Sequence, residues 1–224
     1  MSDSVGHSIS HLVVDILPLL LRGMWITVEI SVLSIVIGLF FGLIFGVANC
    51  QRYRRPVLGK LIDAYVLVVR GTPLFVQLLI VYFALPEVIG VNLTPFAAGV
   101  VALGFNSTAY LSETVRAGIN AVPEGQWEVS YALGYSRLET LRSIIFPQML
   151  RIIFPGLTNE LTSLIKETSI LAVIGVAELT KLGKDVVARE LDPMTIYLVV
   201  ALLYFVLTSA VSLVTKTCEK RMAV

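Results

Sequence analysis

Five stretches of about 20 mostly apolar residues, each long enough to cross a hydrocarbon core of about 30 Å as a helix, govern what this chain can fold into. They occupy residues 24–49, 61–85, 94–115, 154–177 and 195–214. In lipid the backbone must satisfy its own hydrogen bonds, so the pattern predicts an all-α integral membrane protein with one transmembrane domain spanning residues 1–224. Composition agrees: 56% of the residues are hydrophobic and 15% charged, with a mean hydropathy of +0.85. That is more apolar than one soluble core of this length requires.

An odd number of spans puts the termini on opposite sides. Arg52, Arg54, Arg55 and Lys60 lie between the first two spans, Lys216, Lys220 and Arg221 lie in the tail, and the first 21 residues carry no Lys or Arg. The positive-inside bias therefore places the N-terminus outside and the C-terminus in the cytoplasm. The connection 86–91 then faces outward without a basic residue, and the loop 178–194 mixes both signs and favours neither side. No cationic segment precedes the first apolar run, so that span is expected to be its own targeting signal. Cys50 and Cys218 both fall on the reducing side, where no disulfide is expected. His7 and His11 sit four apart but lack a third ligand, and read as part of a solvated lead-in rather than a metal site. A net charge of +1 without a run of like charges gives no case for nucleic acid.

Within the spans, Gly38, Gly42 and Gly46 form a four-residue stripe that lets another helix approach closely, within the chain or between two copies. The second span is interrupted at Arg70-Gly71-Thr72-Pro73, where proline removes a helix donor. Breaks of this kind in transporters face protein or a wet cavity, which makes Thr72 and Gln77 candidates for a substrate path. The alternative is a simple kink with Arg70 snorkelling to the interface. The fourth span is the least lipid-like, carrying Asn159, Glu160, Thr162, Ser163, Lys166, Glu167, Thr168 and Ser169. At about 100° per residue, Asn159, Ser163 and Lys166 share one side with Glu160 and Glu167 on its edge. A charge at the bilayer centre costs about 2.5–3.5 kcal/mol even on the gentler scale. This face is therefore expected to line a binding site or pathway, or else to lock helices through a Lys166 ion pair. Asn106, Ser107 and Thr108 of the third span are positioned to line the same cavity or to bond across helices.

Residues 123–147 do not read as a connector. Pro123 opens a helix, Trp127 and Tyr131 share one face, Gly134 suits a left-handed terminus, and Ser136 with Glu139 forms a capping box for a second helix. That helix is expected to stop at Pro147. Two short amphipathic helices hinged at glycine either float on lipid or dock into a partner.

These residues carry a resemblance. Glu128-Val129-Ser130, Gly134, Ile144 and Pro147 resemble the Glu-Ala-Ala…Gly…Ile-x-Leu-Pro loop of ABC importer permeases, with Val129, Ser130 and Phe146 departing from the family's alanines and leucine. Ala109-Tyr110, Glu113, Arg116-Ala117-Gly118, Gly125-Gln126 and the Arg70–Pro73 break resemble its polar amino-acid branch, the histidine and glutamine permease type. The likeness runs from about Arg22 through the fifth span. It implies a type I importer permease in the bacterial inner membrane, working with a second copy or paralogue and an extracytoplasmic solute-binding protein. Separate ATPase subunits would dock on the helix pair between spans three and four through Glu128, Trp127, Tyr131, Gly134 and Pro147, and would hold the ATP and Mg. No Gly-rich phosphate-cradling loop is present here, so no cofactor and no enzymatic activity are expected of this chain. Its cargo would be a polar L-amino acid. Lys166 suits the α-carboxylate and Glu160 an amino group, with Asn159, Ser163, Thr168, Thr72 and Gln77 as neutral partners. The Asn-Glu pair resembles permeases for arginine, lysine or histidine, and a neutral cargo such as glutamine is the alternative. A secondary transporter would not need the 123–147 unit, and a membrane enzyme would need a nucleophile with its base.

Overall fold

The computed structural model describes residues 12–222, and every regular element among them is helical. His7 and His11 lie outside the described residues. The first long helix, α1 (Leu17–Asn49), follows a π turn at Leu12–Ile16. It starts earlier than the apolar run beginning at residue 24, because Gly23 is a crossing point and not a break. A Cβ there would lie 2.9 Å from the Leu179 Cα.

α1 lays its small residues along α5 (Pro95–Asn120). Cβ atoms at Gly38, Gly42 and Gly46 would come within 2.7 Å of Ser107 Oγ, 2.7 Å of Leu111 Cβ and 2.6 Å of Val115 Cβ. The glycine stripe thus serves packing inside the chain, where close van der Waals approach substitutes for the hydrophobic drive that lipid does not supply. Trp25, Val36, Phe40 and Ile44 cover the other side of α1 and are exposed.

The second apolar stretch folds as α2 (Pro56–Gly71), α3 (Leu74–Leu79), a π turn (Ile80–Ala84) and α4 (Leu85–Ile89). It bends by 105° at the break before Leu74, far more than a kink. The Gln77 amide makes the bend tolerable. Its nitrogen donates to the carbonyls of Val69 (2.8 Å) and Thr72 (3.2 Å) and to Thr72 Oγ1 (2.9 Å), and its oxygen accepts from Asn106 (3.0 Å). Carbonyls freed by Pro73 are thereby satisfied, as burial in lipid demands.

α5 is the central helix, touching α1, α2, α3 and the later helix at Phe146–Glu167. After it come α6 (Glu124–Ala132) and α7 (Arg137–Thr140), joined through Gly134 at φ +87. The capping box forms as the spacing predicts: Ser136 N–H donates to Glu139 Oε2 (2.8 Å) and Glu139 N–H to Ser136 Oγ (3.4 Å). Pro147 does not stop the chain. A π turn at Leu141–Ile145 leads straight into α8 (Phe146–Glu167), with the proline in its first turn. The widened turn absorbs the missing donor and the ring clash.

α8 ends in a 3-10 stretch, Thr168–Ile174, so the fourth apolar segment is regular only to Glu167. The mixed-charge loop after it is in fact a helix, α9 (Leu179–Glu190), N-capped by the buried Glu178 carboxylate. That carboxylate accepts from the backbone N–H of Thr180 (2.9 Å) and Lys181 (2.8 Å) and from the Tyr204 hydroxyl (2.8 Å). α10 (Pro193–Met222) closes the chain.

By length and apolarity, α1 with its lead-in and α10 qualify to cross a membrane, and the bent α2–α3–α4 stretch qualifies if counted as one span. α5 and α8 fall short for a physical reason. α5 is packed among other helices and buries Asn106, Ser107, Thr108 and Ser112, and α8 carries the polar run 158–167. Helices screened from lipid are not required to be apolar on every face.

Candidate functional site

Two polar regions stand out, one on the bundle wall and one at the C-terminal end of α5. On the wall, α5 brings Asn106 and Ser107 between the α2–α3 break and α8. Thr72 and Gln77 face this position from the break, but their hydrogen bonds are committed: Thr72 Oγ1 donates to Val68 O (2.8 Å) and the Gln77 amide ties the bend to Asn106. Their role in this conformation is to brace the break.

From α8, the Glu160 carboxylate is half-buried and lies beside Ser107, with Glu167 also within electrostatic range. The Ser107 side chain is fully buried, its hydroxyl makes no other hydrogen bond among the described residues, and its polar neighbour is the Glu160 carboxylate. A buried hydroxyl beside a half-buried carboxylate is a polar pair that a ligand or water can join. Asn159 and Lys166 are exposed on the same helix and Ser163 is half-buried. Lys166 makes no salt bridge among the described residues, and the helix-locking ion pair is not formed here. Thr168 does not join the group: it is fully buried and donates to Ile165 O (2.8 Å). Its position in the first 3-10 turn, where the α-helical register ends, turns it inward. The face assembled by the structure is therefore Asn159, Glu160, Ser163 and Lys166, with Ser107 of α5 at its edge.

The second region is the α6–α7 pair. Trp127, expected on the docking face, is only 3% exposed and packs with Cys50, Val115, Ile119, Ile145 and Met149. It points inward because that apolar cluster buries it, and Arg52 covers its ring at 5.5 Å while pairing with Glu124 at 2.7 Å. Tyr53 adds a hydrogen bond to the Arg137 carbonyl (2.8 Å). Trp127 thus anchors the segment to the bundle. Sequence reasoning read Arg52 only as a topology charge, and nothing in its spacing signals the contact with α6. The outer face is formed by Glu128, Val129, Tyr131, Leu133 and Leu138, all exposed, with Val129 at 59%, Leu133 at 69% and Leu138 at 72%. Large apolar side chains concentrated on a short polar segment mark an interaction surface. Gly134 and Pro147 are exposed at its hinge and at its junction with α8.

Near the anchor, burial pushes the Tyr53 phenol above the ordinary tyrosine range. The hydroxyl accordingly stays protonated and donates to Arg137. In the capping box, donors from the Ser136 side chain and backbone hold the Glu139 carboxyl below the usual glutamate range.

Comparison with known proteins gives a consistent picture. Residues 14–224 match the family described as binding-protein-dependent transport system inner membrane component. The chain is 37% identical over 206 residues to an arginine transport system permease protein of Bacillus subtilis, covering 92% of this chain and 93% of that protein. It is also 37% identical over 209 residues to the glutamine transport system permease protein of Escherichia coli, covering 93% and 94%. The crystal structure of an amino acid ABC transporter with histidines superposes with a TM-score of 0.83 at 36% identity, covering 93% of this chain and 99% of that one.

Proposed function

Because the chain belongs to the family of binding-protein-dependent transport system inner membrane components, we propose that it moves a basic L-amino acid and is driven through its α6–α7 pair. It is a permease subunit of an amino-acid ABC importer, and it resides in the inner membrane. The finer reading comprises five spans, an outer N-terminus and a cytoplasmic C-terminus. α5 and α8, whose apolar stretches are interrupted by polar residues, supply the other two crossings, and the Arg52–Lys60 and Lys216–Arg221 clusters favour this orientation. α6 and α7 then lie in the cytoplasm, where an ATPase subunit docks against Glu128, Val129, Tyr131, Leu133 and Leu138.

One observation carries the cargo assignment: the Glu160 carboxylate, half-buried beside the buried Ser107 hydroxyl on a polar face that also carries the exposed Lys166. Charge complementarity at partial burial favours a cationic group over a neutral one. Lys166 supplies the counter-charge for an α-carboxylate, and Asn159 and Ser163 supply neutral contacts. A second permease copy or paralogue completes the walls of the path, since the polar face of α8 is open in a single chain. A solute-binding protein delivers the cargo from outside. ATP and Mg are bound by the ATPase subunits. Engagement of paired ATPases shifts the permease dimer between its outward and inward states, and each ligand must favour one state to drive the cycle.

The 37% identity to a glutamine permease protein supports a second reading, a neutral polar cargo whose α-amino group meets Glu160. Competition uptake in vesicles containing the complete transporter separates the two. Glu160→Gln is expected to lower arginine uptake at least tenfold more than glutamine uptake. Equal loss for both would remove Glu160 from side-chain recognition and leave the neutral reading in place.

A further inference from the structure

We propose that the charged groove between α2 and α5 is a second, exit-side station for the cargo, in which Arg70 takes the amino acid's α-carboxylate and Glu113 its ammonium group. The inference rests on the amino-acid reading above.

The groove has a volume of 570 Å³, and Arg54, Asp63, Arg70, Tyr110, Glu113 and Arg116 contribute to its wall. Four of these charges are internally matched. Arg54 bonds to Asp63, and Arg116 grips Glu113 through both oxygens at 2.9 and 2.6 Å. Arg70 is different. Its guanidinium lies 5.1 Å above the Tyr110 ring and forms no salt bridge among the described residues. Stacking on an aromatic face fixes a guanidinium while leaving its in-plane N–H donors free, the geometry that receives a carboxylate.

Glu113 lies within electrostatic reach of Arg70. Arg116 occupies two of the roughly four lone-pair positions on its carboxylate, leaving room for an ammonium donor. The three arginines of the wall outnumber Asp63 and Glu113 by one, so the excess positive charge sits at Arg70 and suits a carboxylate. The α-carboxylate and α-ammonium groups of an amino acid meet one free positive group and one accessible negative group.

The position of the groove gives it a role. At about 1.5 Å per residue along α5, Tyr110, Glu113 and Arg116 follow Ser107 at intervals of about 4.5 Å, toward the end of the helix from which α6 hangs. Ser107 marks the level of Glu160. Along the axis of α5 the groove therefore begins about one turn beyond the level of Glu160, on the α2 side of the helix, where the other charges of the wall are already compensated.

The test uses proteoliposomes containing the complete permease–ATPase complex, with binding protein outside and arginine loaded at millimolar concentration inside. Arg70→Gln is expected to lower the maximal uptake rate about tenfold, the effect of losing a charge-assisted hydrogen bond. The half-saturating concentration of loaded binding protein should stay unchanged, and Arg70→Lys should retain most of the rate. Lumenal arginine should slow uptake by the wild type, and Arg70→Gln should abolish that inhibition, which a purely structural role would not produce. Wild-type rate and wild-type lumenal inhibition in Arg70→Gln overturn the inference, as does a loss in Arg70→Lys equal to that in Arg70→Gln. If Arg70→Gln fails to assemble with the ATPase, Tyr110→Leu carries the test: lumenal inhibition should then require several-fold more arginine, and an unchanged requirement overturns the inference. If the wild type accumulates no amino acid at all, the amino-acid reading itself falls and takes the exit station with it.

Discussion

Trp127→Ala should uncouple ATP hydrolysis from transport without unfolding the spans. The indole is 3% exposed and packed against residues from the α1–α2 loop, α5 and α8, so truncation leaves a cavity in a well-filled cluster. Removal of a buried aromatic of this size costs about 3–5 kcal/mol. The loss falls on the attachment of α6–α7 to the bundle, where the remaining polar ties include the Arg52–Glu124 pair, which also loses the ring beneath Arg52, the Tyr53–Arg137 hydrogen bond and a long 3.4 Å bond from Gln148 to Gln126. The first is solvent-exposed and contributes at most about 1 kcal/mol, and the second about 0.5–1.5 kcal/mol. At about 1.4 kcal/mol per factor of ten, the equilibrium constant for attachment falls by roughly two to four orders of magnitude. The assay is cargo-stimulated ATP hydrolysis by the assembled transporter, read beside thermal stability of the permease in detergent. Stimulation should vanish while the melting transition of the spans stays near that of the wild type. Full stimulation in Trp127→Ala would refute the assignment of this side chain as the anchor. Leu133→Ala on the outer face provides the contrast, with weakened ATPase binding and an unmoved permease melting transition.

Three further outcomes are expected. Gly46→Leu should destabilise the α1–α5 crossing by about 1–3 kcal/mol or prevent assembly, since even a Cβ would lie 2.6 Å from Val115; thermal melts in detergent read this, with Gly125→Ala, where nothing lies within 4 Å of the added Cβ, as the neutral control. Gln77→Leu should cost about 1–3 kcal/mol by stripping partners from Val69, Thr72 and Asn106 at the helix break, and hydrogen exchange at residues 69–77 should accelerate while exchange in α1 does not. Because the Glu139 carboxyl is held below its ordinary value in the folded state, its cap stabilises α7 at neutral pH and is lost as pH falls through that depressed value; a carbon-detected titration of Glu139 that gives a midpoint at or above the ordinary glutamate range would contradict the capping box.

Much of this architecture was legible because the decisive signals are local. Gly134 takes the left-handed conformation, Ser136 and Glu139 close their box, the chain breaks at Pro73, and the glycine stripe marks a close helix crossing. The misreadings share a different cause: each depended on what packs against the residue from far along the sequence. An amphipathic face bearing Trp127 and Tyr131 looks the same whether it meets a partner or its own bundle, and the apolar cluster that gathers Cys50, Val115, Ile119 and Met149 from distant parts of the chain decides for Trp127. Pro147 obeys its local rule until a π turn ending two residues earlier removes the conflict. The 178–194 segment reads as a loop because its charges hide a helix whose cap, Glu178, is satisfied in part by Tyr204. At the candidate cargo site, the residue types on α8 were readable from spacing, whereas the approach of the buried Ser107 to Glu160 and the inward turn of Thr168 appear only once the helices are packed.

The most direct test of the central claim is the dependence of uptake on the ATPase subunits. In proteoliposomes supplied with binding protein and labelled arginine, accumulation is predicted only when the ATPase subunits are assembled on the permease and ATP is present on their side. Accumulation of arginine by the purified permease alone, at a rate that neither ATPase subunits nor ATP increases, would contradict it.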